Sequence, residues 1–321
     1  MLRLIVSRLA LAVPVLLCVS VVAFVLLRLA PGDPAQLQAG ADAGPEVVAA
    51  VRHELALDQP LPVQYLTWAG RALHGDLGVS YSARLPVTTL IGQRLPVTAQ
   101  ISATALLLIV GIGVPLGIVA ALHRDRGVDQ AVRVVSLAGI SVPNFVIGIL
   151  FVLIFGWYAP GLMPYEGFVP MREDPLGSLK TTILPAAALA LAQVGIVARL
   201  TRSSMLEIVN QEYITAARAF GVPEHELIWH DALRNAMLPV LTVLGIISGF
   251  LLGGSVVVES VFGVAGVGRL LVESFASRDY PVTIGVMLFI AVVFVMINLV
   301  VDVLYGVVNP RIRSGYESGR G

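Results

Sequence analysis

Residues Arg199 to Arg234 read RLTRSSMLEIVNQEYITAARAFGVPEHELIWHDALR, and they hold four Arg and five acidic residues in a chain that is only 13% charged. Uncharged sequence lies on both sides, from Thr181 to Ala198 and from Ala236 to Val258. The polar run therefore leaves an apolar layer and returns to it. Within it Tyr213, Ala216, Ala217 and Phe220 fall at i, i+3, i+4 and i+7, which places one aromatic and small-residue face on a helix. Gly221 supplies a C-terminal stop, and Pro223 with Glu224 and Glu226 supplies a new start with acids at the positive end of the helix dipole. The spacing predicts a helix, a tight turn and a second helix standing off a membrane.

Composition agrees with that setting. The 321 residues are 57% hydrophobic with mean hydropathy +0.86 and a formal net charge of zero. These values describe an all-α polytopic membrane protein and point to no nucleic-acid partner. The single cysteine, Cys18, excludes an intrachain disulfide and a cysteine metal site. His225 and His230 form H-E-x-x-x-H, one residue too long for H-E-x-x-H, which sets the two rings roughly 140° apart on a helix and argues against a metal. The only lysine, Lys180, follows Ser178 and Leu179, so no phosphate-binding loop ending in G-K-[ST] is present. The chain is not an ATPase. Its apolar spans also lack the titratable groups that proton-driven carriers use.

Six spans are predicted, at Leu9 to Leu27, Val97 to Leu122, Val134 to Ala159, Thr181 to Ala198, Ala236 to Val258 and Val282 to Val301. The first exceeds a signal-peptide core and lacks a good cleavage site, so it is read as an uncleaved helix. Pro115 and Pro143-Asn144 should each kink a span, which serves either packing or a translocation path. Gly245, Gly249 and Gly253 line one face of the fifth span, for close packing, with a partner chain or a path as further uses. Between the first two spans, Ala35 to Arg94 should form two helices, from Gly44-Pro45-Glu46 with Val47, Val48, Val51 and Leu55 as an apolar stripe, and from Val63 to His74. A turn at Gly75-Asp76-Leu77-Gly78 follows, with Asp76 as its cap. So small a unit should lean on the membrane or on a partner.

Twelve arginines lie on the side of the termini and the polar run: Arg3, Arg8, Arg124, Arg126, Arg133, Arg199, Arg202, Arg218, Arg234, Arg311, Arg313 and Arg320. The short loops opposite hold Arg172, Lys180, Arg269 and Arg278. By the positive-inside rule both termini and the Arg199 to Arg234 run face the cytoplasm.

Tyr213 to Gly221, followed by His230-Asp231-Ala232-Leu233-Arg234-Asn235, resembles the "EAA" coupling loop of bacterial ABC importer permeases, most closely the B-type permeases of dipeptide, oligopeptide and nickel importers. Arg28 to Pro34, Leu251 to Glu259, Arg278-Asp279-Tyr280-Pro281 and the tail Asn309 to Arg313 are similar to segments of the same family. Thr215 stands where the motif has Glu, so no motif carboxylate is assigned there; Glu212 lies close by. The resemblance implies a type I ABC importer permease fold with six transmembrane helices. It divides the chain into an N-terminal helix (1–30), an extracytoplasmic helical segment (31–95), a core (96–308) with its coupling loop at 199–235, and a cytoplasmic tail (309–321). Glu212, Tyr213, Ala216, Ala217, Arg218 and Gly221 would meet the ATPase. ATP and Mg would be bound by two partner ATPase domains and not by this chain. A second homologous permease would complete the path, and an extracytoplasmic substrate-binding protein would deliver a short peptide, with nickel or another small solute as the alternative. A secondary peptide carrier and a structural membrane scaffold are the readings from other classes.

Overall fold

Prolines and close-packing residues decide where the helices of this protein begin, break and cross. The computed structural model describes residues 2–29, 33–40, 42–54, 56–159 and 161–308. Met1, Ala30 to Gly32, Ala41, Leu55, Pro160 and the tail from Asn309 therefore lie outside the described residues.

Helix α1 covers Leu2–Leu29. The short helices α2 (Pro34–Ala39), α3 (Pro45–Glu54) and α4 (Leu61–Leu73) follow. The first of the three starts at Asp33, whose carboxylate accepts from the Ala35 amide at 3.0 Å. Helix α5 (Val87–Leu108) passes through a wider π turn at Ile109–Gly113 into α6 (Val114–Leu122). Pro115 sits in the first turn of α6, and the π turn ahead of it takes up the ring without ending the span. The helix begins ten residues before the expected Val97, because Arg94 and Pro96 are carried inside it.

The expected third span is two helices, α7 (Gly127–Ser141) and α8 (Asn144–Leu153), and the latter is extended by a π turn to Tyr158. They meet at 93°. Val142 is extended (φ −101°, ψ 123°), since a residue preceding proline is pushed out of the helical region, and Pro143 has no amide to continue the ladder. The predicted kink is thus a break. Among the described residues five stretches are long and apolar enough to cross a membrane, and a sixth crossing results if the bent pair is one broken span.

Helix α9 (Pro175–Val209) is the hub and is buried by neighbours along most of its length. A Cβ on Gly117 would press into Ala198 and Thr201, and one on Gly195 into the Ser136 backbone, so α6 and α7 cross α9 at backbone distance. Gln100 on α5 donates to Ser178 Oγ (2.5 Å) and Thr182 Oγ1 (2.8 Å) on α9, a polar clip inside the bundle. The main core then closes with Val240, Leu244, Ile247, Leu251 and Val258.

After α9 come α10 (Glu212–Ala219), α11 (Glu224–Glu226), α12 (Leu233–Val261), α13 (Val267–Ala276) and α14 (Tyr280–Val308). The direction of the chain puts α10 at one end of the bundle and α13 at the other. At the α13 end two buried carboxylates staple the loops. Glu259 accepts from Thr98 Oγ1 (2.7 Å) and from the Arg269 amide (2.9 Å), which anchors the first turn of α13. Asp279 accepts from Ser80 Oγ (2.5 Å), Ser82 Oγ (2.8 Å) and the amides of Tyr81 and Ser82 (3.1 and 3.2 Å). The N-terminal segment leans on the same end, with Tyr65 and Trp68 of α4 at 5.6 and 6.0 Å, centroid to centroid, from Phe24 of α1. The Asp76 carboxylate accepts from the Gly78 amide at 2.9 Å, closing the turn after α4.

Candidate functional site

The polar run is built differently from the expected pair of short helices. Residues Arg199 to Val209 continue α9, and Glu224 to Ala232 run through a π turn at Leu227–Ala232 directly into α12. Only α10 is a separate short helix. Polar side chains mark where water begins; they do not end a helix unless the backbone is interrupted, and neither stretch holds an internal proline or glycine. The loop proper therefore shrinks to Asn210 through Pro223.

Two residues, Asn210 and Gln211, separate α9 from α10. Gln211 is extended (φ −70°, ψ 149°), and its carbonyl accepts from the Ile214 and Thr215 amides at 3.1 and 3.2 Å. Glu212 opens α10 and is exposed, a favourable place for a carboxylate at a helix N-terminus. Ile214 is 1% exposed and pins α10 where it meets α9 and the Leu227–Ala232 turn. Away from that anchor Tyr213 is 47% and Phe220 89% exposed, and Trp229 in the Leu227–Ala232 turn is 60% exposed. Ala216 is open beside them and Ala217 is half-buried. Asn235 Nδ2 donates to the Tyr213 hydroxyl at 3.3 Å, tying the helix to α12.

The far end of α10 is locked twice. Gly221 has φ +84°, its amide bonds the Arg218 carbonyl (3.0 Å) and the Val222 amide bonds the Ala217 carbonyl (3.2 Å), the paired bonds of a Schellman cap. Arg218 then grips Glu224 through two bonds, Nε to Oε2 at 3.0 Å and Nη2 to Oε1 at 2.8 Å. The Glu224 carboxylate holds the Arg218 guanidinium above its ordinary value. Turn and ion pair together fix the angle between α10 and the root of α12.

The remaining predicted positions lie elsewhere. Gly245 faces Val301 and Gly249 faces Phe294, both on α14 of the same chain, whereas Gly253 is exposed with nothing within 4 Å of a built Cβ. Gly245 alone is about 18 Å along α12 from Leu233, at about 1.5 Å per residue. Pro143 and Asn144 form the corner between α7 and α8. An apolar cleft of about 620 Å³ opens between α5, α12 and α14, with Gly245, Ser248 and Ser102 on its walls.

One buried ion pair, between α7 and α9, escaped the sequence reading. Asp129 on α7 is fully buried and takes two bonds from Arg202 on α9, at 2.5 and 2.6 Å, with Arg133 at 3.3 Å. The pair ties the connector after α6 to the helix that carries α10. The signal available was a pair of acids, Asp125 and Asp129, set four residues apart among the basic residues of that connector. Among the described residues no three His, Cys, Asp or Glu side chains converge as a metal site.

Residues 113–314 match the family described as binding-protein-dependent transport system inner membrane component, and residues 1–102 match its N-terminal domain. A Brucella abortus (strain 2308) protein described as a peptide transport system permease is 46% identical, over 98% of this chain and 99% of the relative. The glutathione transport system permease protein of Salmonella choleraesuis (strain SC-B67) is 42% identical over the same shares. A chain of the MetNI methionine ABC transporter, solved in inward-facing conformations, aligns with TM-score 0.54 and 18% identity, over 68% of this chain and 96% of its own. That likeness concerns the fold, which is of the type I permease kind.

Proposed function

The chain belongs to the family of binding-protein-dependent transport system inner membrane components, and on that premise we propose that it is the permease subunit of an ATP-driven importer of short peptides. It is a multi-pass inner-membrane component, and the work comes from other chains. The observation that carries the reading is α10, a capped helix with one buried anchor and an exposed face of Tyr213, Ala216 and Phe220. Exposed aromatics at i and i+7 of one short helix favour a protein partner over water.

In this proposal two ATPase domains, which bind ATP and Mg, receive that face on the cytoplasmic side. Both termini share that side, residues 31–95 lie outside, and 199–235 form the coupling region. A second, homologous permease completes the path, and Gly253 with the apolar cleft is the surface assigned to it. A substrate-binding protein docks outside and hands over a peptide; the names of relatives at 46% and 42% identity, peptide and glutathione permeases, favour that class of solute.

The chain's own part is mechanical. A push on α10 passes through Asn210-Gln211 into α9, and through the Arg218–Glu224 grip into α12. Those two helices bury the main core, so they tilt as units and do not bend locally. The Asp129–Arg202 bond carries the same motion to α7. Catalysis is absent from this account; Glu212, Tyr213, Ala216, Ala217, Arg218 and Gly221 transmit force. The test is purification of the chain in mild detergent with its natural partners, followed by ATP turnover with and without short peptides. The proposal expects ATPase subunits in the complex and peptide-dependent turnover. Uptake that persists without ATP and stops with an uncoupler would favour a secondary carrier.

A further inference from the structure

Six buried side-chain polar atoms among the described residues have no hydrogen-bond partner, and four of them belong to residues that line one cavity. The cavity measures about 220 Å³ and lies at the α13 end of the bundle, between α4, the end of α1 and the start of α14. Its four orphaned atoms are Gln38 Oε1, Gln64 Oε1, Trp68 Nε1 and the Tyr280 hydroxyl. Gln64 and Tyr280 are only 7% and 6% exposed. The Gln64 amide cannot be turned over, because its Nε2 donates to the carbonyls of Leu57 (3.2 Å) and Gln59 (2.8 Å), which leaves Oε1 as a fixed, unused acceptor.

Folded proteins seldom leave buried polar atoms unpaired, so four around one space mark it as a place for ordered water or for a polar guest that displaces it. The space far exceeds the about 10–15 Å³ that a single water needs. Two orphans accept only, Trp68 donates only, and Tyr280 does either. Arg71 and Asp76 add one charge of each sign; both are exposed and neither forms an ion pair among the described residues. The matching guest has several N–H donors at one end and an oxyanion at the other.

We propose that this cavity binds a small zwitterion, an ammonium joined to a carboxylate or phosphate. Gln38, Gln64 and Asp76 take the ammonium, and Trp68, Tyr280 and Arg71 take the oxyanion. Two sources share this chemistry. One is a free amino acid or peptide end from the water. The other is an ethanolamine phospholipid headgroup from a leaflet beside the exposed Val22 and Val25 of α1 and Leu66 of α4. The site lies at the opposite end from α10 and stands independently of the coupling reading.

The test uses the full chain with its partner subunits in phosphatidylcholine nanodiscs, a lipid whose ammonium carries no N–H. Trp157→Phe and Trp229→Phe leave Trp68 as the sole indole of this chain, and a matched preparation that also carries Trp68→Phe supplies the partner subunits' background for subtraction; Trp157 and Trp229 are exposed. Glycylglycine and phosphoethanolamine are titrated separately, and a parallel preparation contains phosphatidylethanolamine. A saturable change in Trp68 emission is expected from at least one of the three. A response to glycylglycine identifies the aqueous source, and a response to phosphatidylethanolamine the lipid. Tyr280→Phe keeps the ring and should weaken binding about tenfold, the scale of one hydrogen bond to a charged group. Arg71→Gln should weaken it too. Emission unchanged by both probes and identical in the two lipids overturns the proposal, as does a Tyr280→Phe chain that binds as well as the parent and unfolds at a higher temperature.

Discussion

Replacing Gly221 tests whether the angle between α10 and α12 matters. At φ +84° a residue with a Cβ is strained, and nothing lies within 4 Å of a Cβ built there, so the backbone alone sets the effect. Left-handed backbone costs an L-residue about 1–2 kcal/mol, and a β-branched one falls at or above the top of that range. If the chain escapes by moving to negative φ it forfeits the Gly221–Arg218 and Val222–Ala217 bonds, about 0.5–1.5 kcal/mol each. Either route puts Gly221→Val near 2 kcal/mol, about a thirtyfold loss in the population of the docked geometry at about 1.4 kcal/mol per tenfold. Gly221→Ala should lose less, and Gly221→Asn least, since Asn visits this region readily. In proteoliposomes holding the complete transporter, peptide uptake and ATP hydrolysis would be measured together. The ratio of uptake to hydrolysis should fall in the order Gly, Asn, Ala, Val, while membrane insertion and unfolding temperature stay near the parent's. A Val variant with the parent ratio refutes the reasoning, and so does an Asn variant as poor as Val.

Phe220→Ala should leave folding untouched, because Phe220 is 89% exposed, yet weaken ATPase binding by about 2 kcal/mol if it is an interface anchor; pull-down titration reads this. Asp129→Ala strands Arg202 without its buried partner and should destabilise by about 3–5 kcal/mol, seen as a lower unfolding temperature in detergent. Asp279→Ala removes four acceptor contacts that hold Ser80 to Ser82, so hydrogen exchange at the Tyr81 and Ser82 amides should rise sharply. Gly249→Leu drives a side chain into Phe294 and should part α12 from α14, lowering the yield of folded protein.

Local signals in the sequence were strong where short-range physics decides the outcome. Gly221 as a cap, the Tyr213 to Phe220 face and the Asp76 turn are each set within a few residues, and each appears in the structure. Errors arose where polarity stood in for geometry. The charges at Arg199, Arg202, Asp231 and Arg234 suggested a long loop, yet they ride on extensions of α9 and α12. The break at Val142-Pro143 was legible as a proline effect but not in size, since a proline inside an apolar run yields a bend or a full corner according to what packs around it. Glu259, Asp279 and the Asp129–Arg202 pair find their partners 161, 199 and 73 residues away, beyond any local pattern.

The most direct measurement is a cross-link from α10. A chain carrying Cys18→Ser and Ala219→Cys, assembled in cells with its partners, presents one thiol at the exposed end of α10 beside the proposed docking face and leaves Phe220 in place. A thiol-reactive cross-linker should join it to an ATP-hydrolysing subunit, with the yield changing when nucleotide is bound. Reaction of that thiol with a membrane-impermeant reagent added outside intact cells, or a cross-link to no ATPase subunit, would contradict the account.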